Sequence, residues 1–558
     1  MAAILAKKYL CEALLAEGVH HIFGNPGSTE VPFLDALANY PDLNYVLVTH
    51  ESAAVAMADG YARASGEPGV VSVHTFPGTA NALGSLYNAR KEGTPLVVLA
   101  GQQHSRLLIG EAFLSADVVQ MASPFVKWAW QVTSAGDVPV ALRRAFKVAM
   151  DPPRGPVFLS LPRDLLEEEI EADVPPVARQ RLSGRLRPDP AAVAQAARVL
   201  AEARSPIIVA GQGVADAGAQ QEVAAVAEML GAPIYYEPFV TSVNSPADHP
   251  LVLGGGGLGR GEINAAMAGA DVMLAVGSRV FVEFDYPGPR VVPPGLRIVQ
   301  IDLNPWEIGK NAPVAAGIVG DCAAALAELG EALAPLVDKH AAGDRAARVR
   351  ARQAEMRAAL AEAVQADYEA VPIKPRRLVH ELVAALGTDG ILVDEGIQTS
   401  PYAKRYLPSM RPGSYYANKG GYLSWGLPAA MGVKLARPEA PVAALVGDGC
   451  ATYGLQSLWT AARYRVPFVA VICNNATYMA VKALLVARGG DAVRLDSYIG
   501  TDLGHIDFVT LARGFGVAGE RVEQPDDILP ALRRGFASGQ PYVVDVLLDS
   551  SVPDQTGR

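Results

Sequence analysis

Cysteine is scarce, with 4 in 558 residues at positions 11, 322, 450 and 473. No CxxC pair and no Cys/His spacing accompanies them, which excludes a disulfide framework and a structural zinc module and fits a reducing cytoplasm. No run of about 18 uncharged apolar residues occurs, the length a membrane helix needs, so the chain is expected to be soluble with no membrane partner. The N-terminal AAILAKKYLCEALLAEGV carries Lys7, Lys8, Glu12 and Glu17 at helical spacing and reads as an amphipathic helix, not a signal peptide. Basic residues are also few: 48 Lys and Arg face 58 Asp and Glu, a net charge of −10. No cluster of them could neutralise phosphates, so nucleic acid is excluded as a partner. Aromatics make up only 7% of the chain.

What is abundant is small and apolar. Half the residues are hydrophobic and 54 are glycine, which suits closely packed α/β layers. At this length one core is not enough, and about three domains are expected. Short β-branched runs support that division. YVLVT (45–49), GVVSVH (69–74) and PLVVLA (95–100) alternate with helical stretches. So do PIIVAGQG (206–213), DVMLAVGS (271–278) and RIVQIDLN (297–304), and then GILVDEG (390–396), PVAALVGDG (441–449), FVAVICNN (468–475) and YVVDVLL (542–548). The rhythm predicts an α/β fold of three tandem parallel-sheet domains, over 1–172, 188–335 and 370–558. The Pro, Arg and Glu-rich stretch 161–190 reads as a linker, and 330–372 as an Ala/Arg/Glu-rich helix.

The sharpest motif is GDGCATYGLQSLWTAARYRVPFVAVICNN. Gly447-Asp448-Gly449 closes one apolar strand and Asn474-Asn475 the next, with 24 residues between the two elements. Both polar groups emerge at the carboxyl edge of a parallel sheet, where open α/β folds bind ligands. The Asp448 carboxylate and the Asn475 amide oxygen are hard donors of the kind that hold Mg²⁺ beside phosphates. Gly447 and Gly449 allow the backbone to approach a bulky anion, at the start of a helix whose N–H groups face it. In NYVLVTHESAAVAMADGYAR, Glu51 stands where a strand gives way to a helix, suited to an acid that faces a ligand.

With its spacing and strand–helix–strand context, this motif resembles that of the thiamine diphosphate enzyme superfamily. The resemblance implies thiamine diphosphate and Mg²⁺ as cofactors, with Asp448, Asn475 and the Thr477 carbonyl as metal ligands and Glu51 as the acid that activates the aminopyrimidine. It implies that Gly421, in NKGGYLSWGLPAA, offers its carbonyl to the pyrimidine amino group and that Leu423 wedges the cofactor. Gln398, in DEGIQTS, is implied at the diphosphate. The family joins the two halves of its site across subunits, so a homodimer or homotetramer is expected.

The likeness spans nearly the whole chain and is closest to the benzoylformate decarboxylase branch, carried by FGNPGSTEVPFLDAL (23–37), AGQQHSRLLIGEAFL (100–114), VKWAW (126–130), GSYYANKGG (413–421) and LWTAARYRVPF (458–468). It implies Ser28 and His74 as catalytic residues of the substrate pocket, with Ala480, Val481 and Leu484 beside the substrate's side chain. Phe284, next to Glu283, stands where that branch carries a second histidine. The implied activity is decarboxylation of a 2-oxo acid to an aldehyde and CO₂. Rival readings are a carboligase or lyase acting on acyloins or 2-hydroxyacyl compounds, and a non-catalytic cofactor-binding protein, against which Glu51 argues. Gly211 and Gly213 form only a partial dinucleotide pattern.

Overall fold

A computed structural model describes residues 2–177, 182, 184–254, 261–279, 281–282 and 292–552. Among these residues there are three six-stranded sheets, every pairing in them parallel. The α/β reading with three parallel-sheet domains is therefore the observed architecture.

The first sheet runs in space Asn44–Leu47, His21–Asn25, Gly69–His74, Leu96–Gln102, Val157–Pro162, Trp128–Gln131. The third runs Tyr415–Ala417, Ile391–Glu395, Val442–Gly447, Val469–Asn474, Tyr542–Leu547, Ala518–Val522. Both follow one order: second, first, third, fourth, sixth, fifth by sequence. The middle sheet is ordered differently, as third, second, first, fourth, fifth, sixth, from Val252–Gly254 through Pro206–Ala210 to Ala316–Val319. Strand order reverses beside the first strand in each case, opening a crevice at the carboxyl edge. In the first sheet the crevice lies between Asn25 and His74, and in the third between Glu395 and Gly447.

Local chemistry sets the bounds of the elements around these crevices. The helix Glu51–Ser65 starts with an acid in its first turn, has Arg63 in its last, and stops at Gly66 with φ of 81°. Thr75–Glu92 stops in the same way at Gly93, after Arg90 and Lys91.

Two sequence expectations need correction. The N-terminal segment is not helical throughout: Ala2–Leu5 is a strand, antiparallel to Glu169–Ala172, and the helix covers Ala6–Ala16. The stretch read as a linker from 161 therefore begins inside the first sheet and this added pair. A ladder of backbone bonds between segments far apart in sequence outweighs the helical spacing of the first four residues. The polar helix Lys339–Ala366, of 28 residues, leads into the third domain.

The first and third domains meet where helix Glu51–Ser65 crosses helix Gly426–Ala436. A Cβ on Gly60 would lie 2.2 Å from the Ala429 carbonyl oxygen, and one on Gly432 would lie 1.9 Å from that of Met57. Each helix thus brings a glycine to the other's backbone. Among the described residues no helix is long and apolar enough to cross a membrane.

Candidate active site

At the crevice of the first sheet, Glu51 is buried and both carboxylate oxygens are in use. Oε1 accepts from Asn25 Nδ2 at 3.0 Å and Oε2 from Asn81 Nδ2 at 2.9 Å. Strand end, helix start and the next helix therefore fix one acid together. His74 ends the adjacent strand. Its Nδ1 lies 2.8 Å from Thr29 Oγ1 and 3.0 Å from Glu30 Oε2, while Thr29 donates its hydroxyl hydrogen to Glu30 Oε1. Both oxygens that face Nδ1 are thus acceptors, so Nδ1 carries the hydrogen and Nε2 is left for a bound molecule. Gly27 donates its N–H to Glu30 Oε2 at 2.8 Å, and a Cβ on Gly27 would strike the His74 ring at 2.3 Å. Ser28, beside it, is exposed, and the helix Val31–Leu37 starts without a side-chain cap.

The Glu30 carboxylate holds the His74 imidazole above the ordinary histidine range, against desolvation. A raised value means that this pair stabilises the fold fully below the unfolded value of about 6.5 and stops doing so as pH rises through the folded one. Glu30→Gln is expected to lower the His74 midpoint, followed by NMR of the ring protons against pH. An unmoved midpoint would remove Glu30 as the cause.

The crevice of the third sheet collects hard oxygens. Asp448 is buried, its Oδ1 accepting from the Gly449 N–H at 2.7 Å and Oδ2 from that of Asn475 at 3.0 Å. Burial raises its carboxyl above the usual range, and the N–H groups of Gly449, Ala476, Asn475 and Thr477 oppose the rise. The two asparagines divide their work. Asn474 Nδ2 anchors to buried Asp545 Oδ1 at 2.9 Å, whereas Asn475 Oδ1 turns to the Thr477 N–H at 3.1 Å. A carboxylate, an amide oxygen and a backbone carbonyl suit Mg²⁺ and not a thiophilic metal. Opposite, Asp394 Oδ1 accepts from the Gly396 N–H and the Ser400 hydroxyl, shaping the turn that carries half-buried Gln398. A Cβ on Gly447 would meet nothing closer than the Gly396 carbonyl at 3.5 Å, so a space separates the two loops. At the end of the first strand Glu395 accepts the N–H groups of Trp425 and Gly426, and burial pushes its carboxyl up to about 8.

Gly421 is exposed with φ of 76°, a conformation only glycine takes without strain, and Leu423 is half-buried. Backbone strain gathers at these loops. Thr75 follows His74 with φ of 38°, Ile397 precedes Gln398 at 49°, Ser424 follows Leu423 at 79°, and Ala476 separates Asn475 from Thr477 at 56°. Non-glycine residues are held there only where the surroundings over-determine them, as at ligand sites. On the helix Met479–Arg488, Ala480 is half-buried, and Val481 and Leu484 are about half exposed. That face is only partly covered within one chain. Phe284 and Glu283 lie outside the described residues.

Within one chain the structure brings Glu51 and His74 to one crevice and Asp448, Asn475 and Thr477 to another, and no described hydrogen bond joins the two groups. Sequence reasoning missed Asn25, Asn81, Thr29 and Glu30. For Asn25, Thr29 and Glu30 the only signal was the run of small and polar residues in GNPGSTE, and Asn81, inside the helix Thr75–Glu92, gave none.

Comparison with known proteins identifies the family. Models of the thiamine pyrophosphate enzyme family match in three parts: the N-terminal TPP binding domain over 5–121, the central domain over 193–329 and the C-terminal TPP binding domain over 397–546. A benzoylformate decarboxylase of Pseudomonas aeruginosa is 35% identical over 544 residues, covering 96% of this chain and 97% of that one. The acetolactate synthase isozyme 3 large subunit of Escherichia coli is 31% identical, over 99% and 96% of the two chains. Among solved structures, the thiamine diphosphate-dependent 4-hydroxybenzoylformate decarboxylase of Rhodococcus jostii RHA1 superposes with a TM-score of 0.86 at 30% identity, over 99% and 100% of the chains. The chain belongs to the thiamine pyrophosphate enzyme family, in its benzoylformate decarboxylase and acetolactate synthase branch of carbon–carbon lyases.

Proposed function

We propose that this enzyme decarboxylates a 2-oxo acid of the benzoylformate kind, releasing an aldehyde and CO₂. The observation that carries this reading is His74, its Nδ1 held by Glu30 and its Nε2 left for a substrate, at the same crevice as buried Glu51. Bound thiamine diphosphate supplies the electron sink that such chemistry needs. Glu51 holds a proton at the aminopyrimidine, Ser28 orients the substrate carboxylate, and His74 Nε2 moves a proton at the reacting carbon. Asp448, Asn475 and the Thr477 carbonyl hold Mg²⁺, with Gln398 at the diphosphate, and Gly421 and Leu423 meet the pyrimidine. Ala480, Val481 and Leu484 select the substrate's side chain. The pyrimidine-binding, middle and diphosphate-binding domains are assigned to 1–172, 188–335 and 370–558. Val31 and Phe76 near one half-site, and Tyr453, Val481 and Leu484 near the other, stay exposed on a single chain, which supports a homodimer or homotetramer that covers them. The four cysteines are free and buried, in keeping with a cytoplasmic setting.

Carboligation is the second reading, favoured by Phe284, a residue unable to carry a proton where the branch has a histidine. Supplied with thiamine diphosphate, Mg²⁺ and benzoylformate, the enzyme is expected to release CO₂ and benzaldehyde in equal amounts. Acyloin formed from added aldehydes, without that release, would move the assignment to the second reading.

A further inference from the structure

The segment Asn418–Leu423 holds itself by one bond, the Gly421 N–H donated to Asn418 Oδ1 at 2.8 Å. Two of its residues are glycine, and a Cβ on Gly421 would meet nothing within 4 Å. The remaining fixed points come from the other two domains. From the middle domain, Glu237 follows the strand Ile234–Tyr236, and its Oε1 takes Lys419 Nζ at 2.5 Å, the side chains being 1% and 8% exposed. The same carboxylate accepts the N–H of Gln212 at 2.9 Å and of Arg279 at 3.1 Å, so it is fixed before Lys419 arrives.

From the first domain, fully buried Asn88 holds Tyr422 at both ends. Its Nδ2 donates to the Tyr422 carbonyl at 2.8 Å, and its Oδ1 accepts the Tyr422 N–H at 3.1 Å. The fit around it is close. A Cβ on Gly420 would lie 2.1 Å from Asn88 Oδ1, and one on Gly84 would lie 2.3 Å from the Tyr422 ring. Arg63 fixes the approach, donating to the carbonyls of Ala417 at 2.6 Å and Thr241 at 3.0 Å.

We infer that Lys419 and Asn88 are positioning residues for the cofactor: through them the middle domain, anchored at Glu237, and the helix Thr75–Glu92 set where the Gly421 carbonyl and Leu423 stand. This rests on the reading that those two residues meet the cofactor. A buried ion pair adds little net stability over well-packed apolar side chains, yet it fixes a register. Here the register belongs to a strand-to-helix loop that has no packing side chain between Lys419 and Tyr422. The middle domain, which supplies no residue to the metal or to the acid, thereby reaches the cofactor-facing loop through the Glu237 side chain.

The test compares Lys419→Met, Asn88→Asp and the double variant Glu237→Gln/Lys419→Met with the unaltered full-length enzyme. Thiamine diphosphate affinity at saturating Mg²⁺ is measured by calorimetry, and thermal unfolding is measured without cofactor. Asn88→Asp keeps the acceptor for the Tyr422 N–H but turns an acceptor against its carbonyl. Cofactor affinity is expected to fall about 10- to 100-fold in all three, the scale for losing an outer contact to a bound group. In the double variant this loss should persist although no buried charge is left alone and cofactor-free unfolding returns towards that of the unaltered enzyme. Unchanged affinity in the folded variants, or a loss confined to unfolding temperature and relieved in the double variant, would overturn the inference. If Lys419→Met does not fold, the double variant and Asn88→Asp decide by the same comparison. A chain that binds the cofactor normally but releases no aldehyde would defeat the proposed reaction alone.

Discussion

Replacing Glu51 by glutamine is expected to slow carbon–carbon cleavage by about 10²–10⁴, the usual weight of a positioned acid or base, while thiamine diphosphate still binds. The substitution is nearly isosteric. The carboxylate now accepts from Asn25 on one oxygen and from Asn81 on the other. Glutamine keeps one acceptor, and an amide flip of either asparagine restores the second bond with donor and acceptor exchanged. Folding should therefore change little, and the loss should fall on proton transfer. Exchange of the cofactor's thiazolium C2 proton into D₂O, read by NMR on the loaded enzyme, separates the two effects. Slow exchange with intact binding is the expected result. Fast exchange would remove Glu51 from the activating role.

The second large effect concerns the metal. A chelator is expected to abolish activity, with Mg²⁺ restoring it, and Asp448→Asn should weaken metal-dependent cofactor binding by at least about 10²-fold. The magnitude follows from losing a charged ligand and from its surroundings. The Asp448 oxygens face the N–H groups of Gly449 and Asn475, so one of them would meet an amide donor instead. Because burial raises this carboxyl, a proton competes with the cation. Lower pH should then demand more Mg²⁺ for half-recovery, which a titration of the chelated enzyme at two pH values would show. A requirement that eases as pH falls would contradict Asp448 as the ligand.

Most of the strands legible in the sequence were those covered on both faces. GVVSVH became Gly69–His74, PVAALVGDG became Val442–Gly447 and FVAVICNN became Val469–Asn474, each almost wholly buried. Such strands read as continuous apolar runs. Two edge strands do not: Ala518–Val522 is exposed or half-buried over most of its length, and Trp128–Gln131 has no buried residue, whereas the edge strand Asn44–Leu47 showed itself by the β-branched run YVLVT. The pair Ala2–Leu5 and Glu169–Ala172 was hidden for another reason, since neither segment pairs without the other.

The same division runs through the site. Glu51, His74, Asp448 and Asn475 each stand at or near the end of a strand that announces itself. The residues that hold them were silent, because Asn81 reaches Glu51 across 30 positions and Asn88 reaches Tyr422 across 334. An asparagine in the middle of a helix has no local mark of what it will touch.

The helix crossing at Gly60 and Gly432 has a consequence for how such a chain can change over generations. Both positions are closed to any side chain, since a single added methyl group would overlap a carbonyl oxygen of the opposing helix. The helix carrying Gly60 begins with Glu51, so a wedge at the crossing would tilt the acid as a lever tilts its far end. On the proposed reading, changes at half-exposed Val481 and Leu484 alter which substrates are accepted without touching this crossing. A lineage that keeps the chemistry must inherit the two glycines unchanged, although neither lies within reach of a substrate.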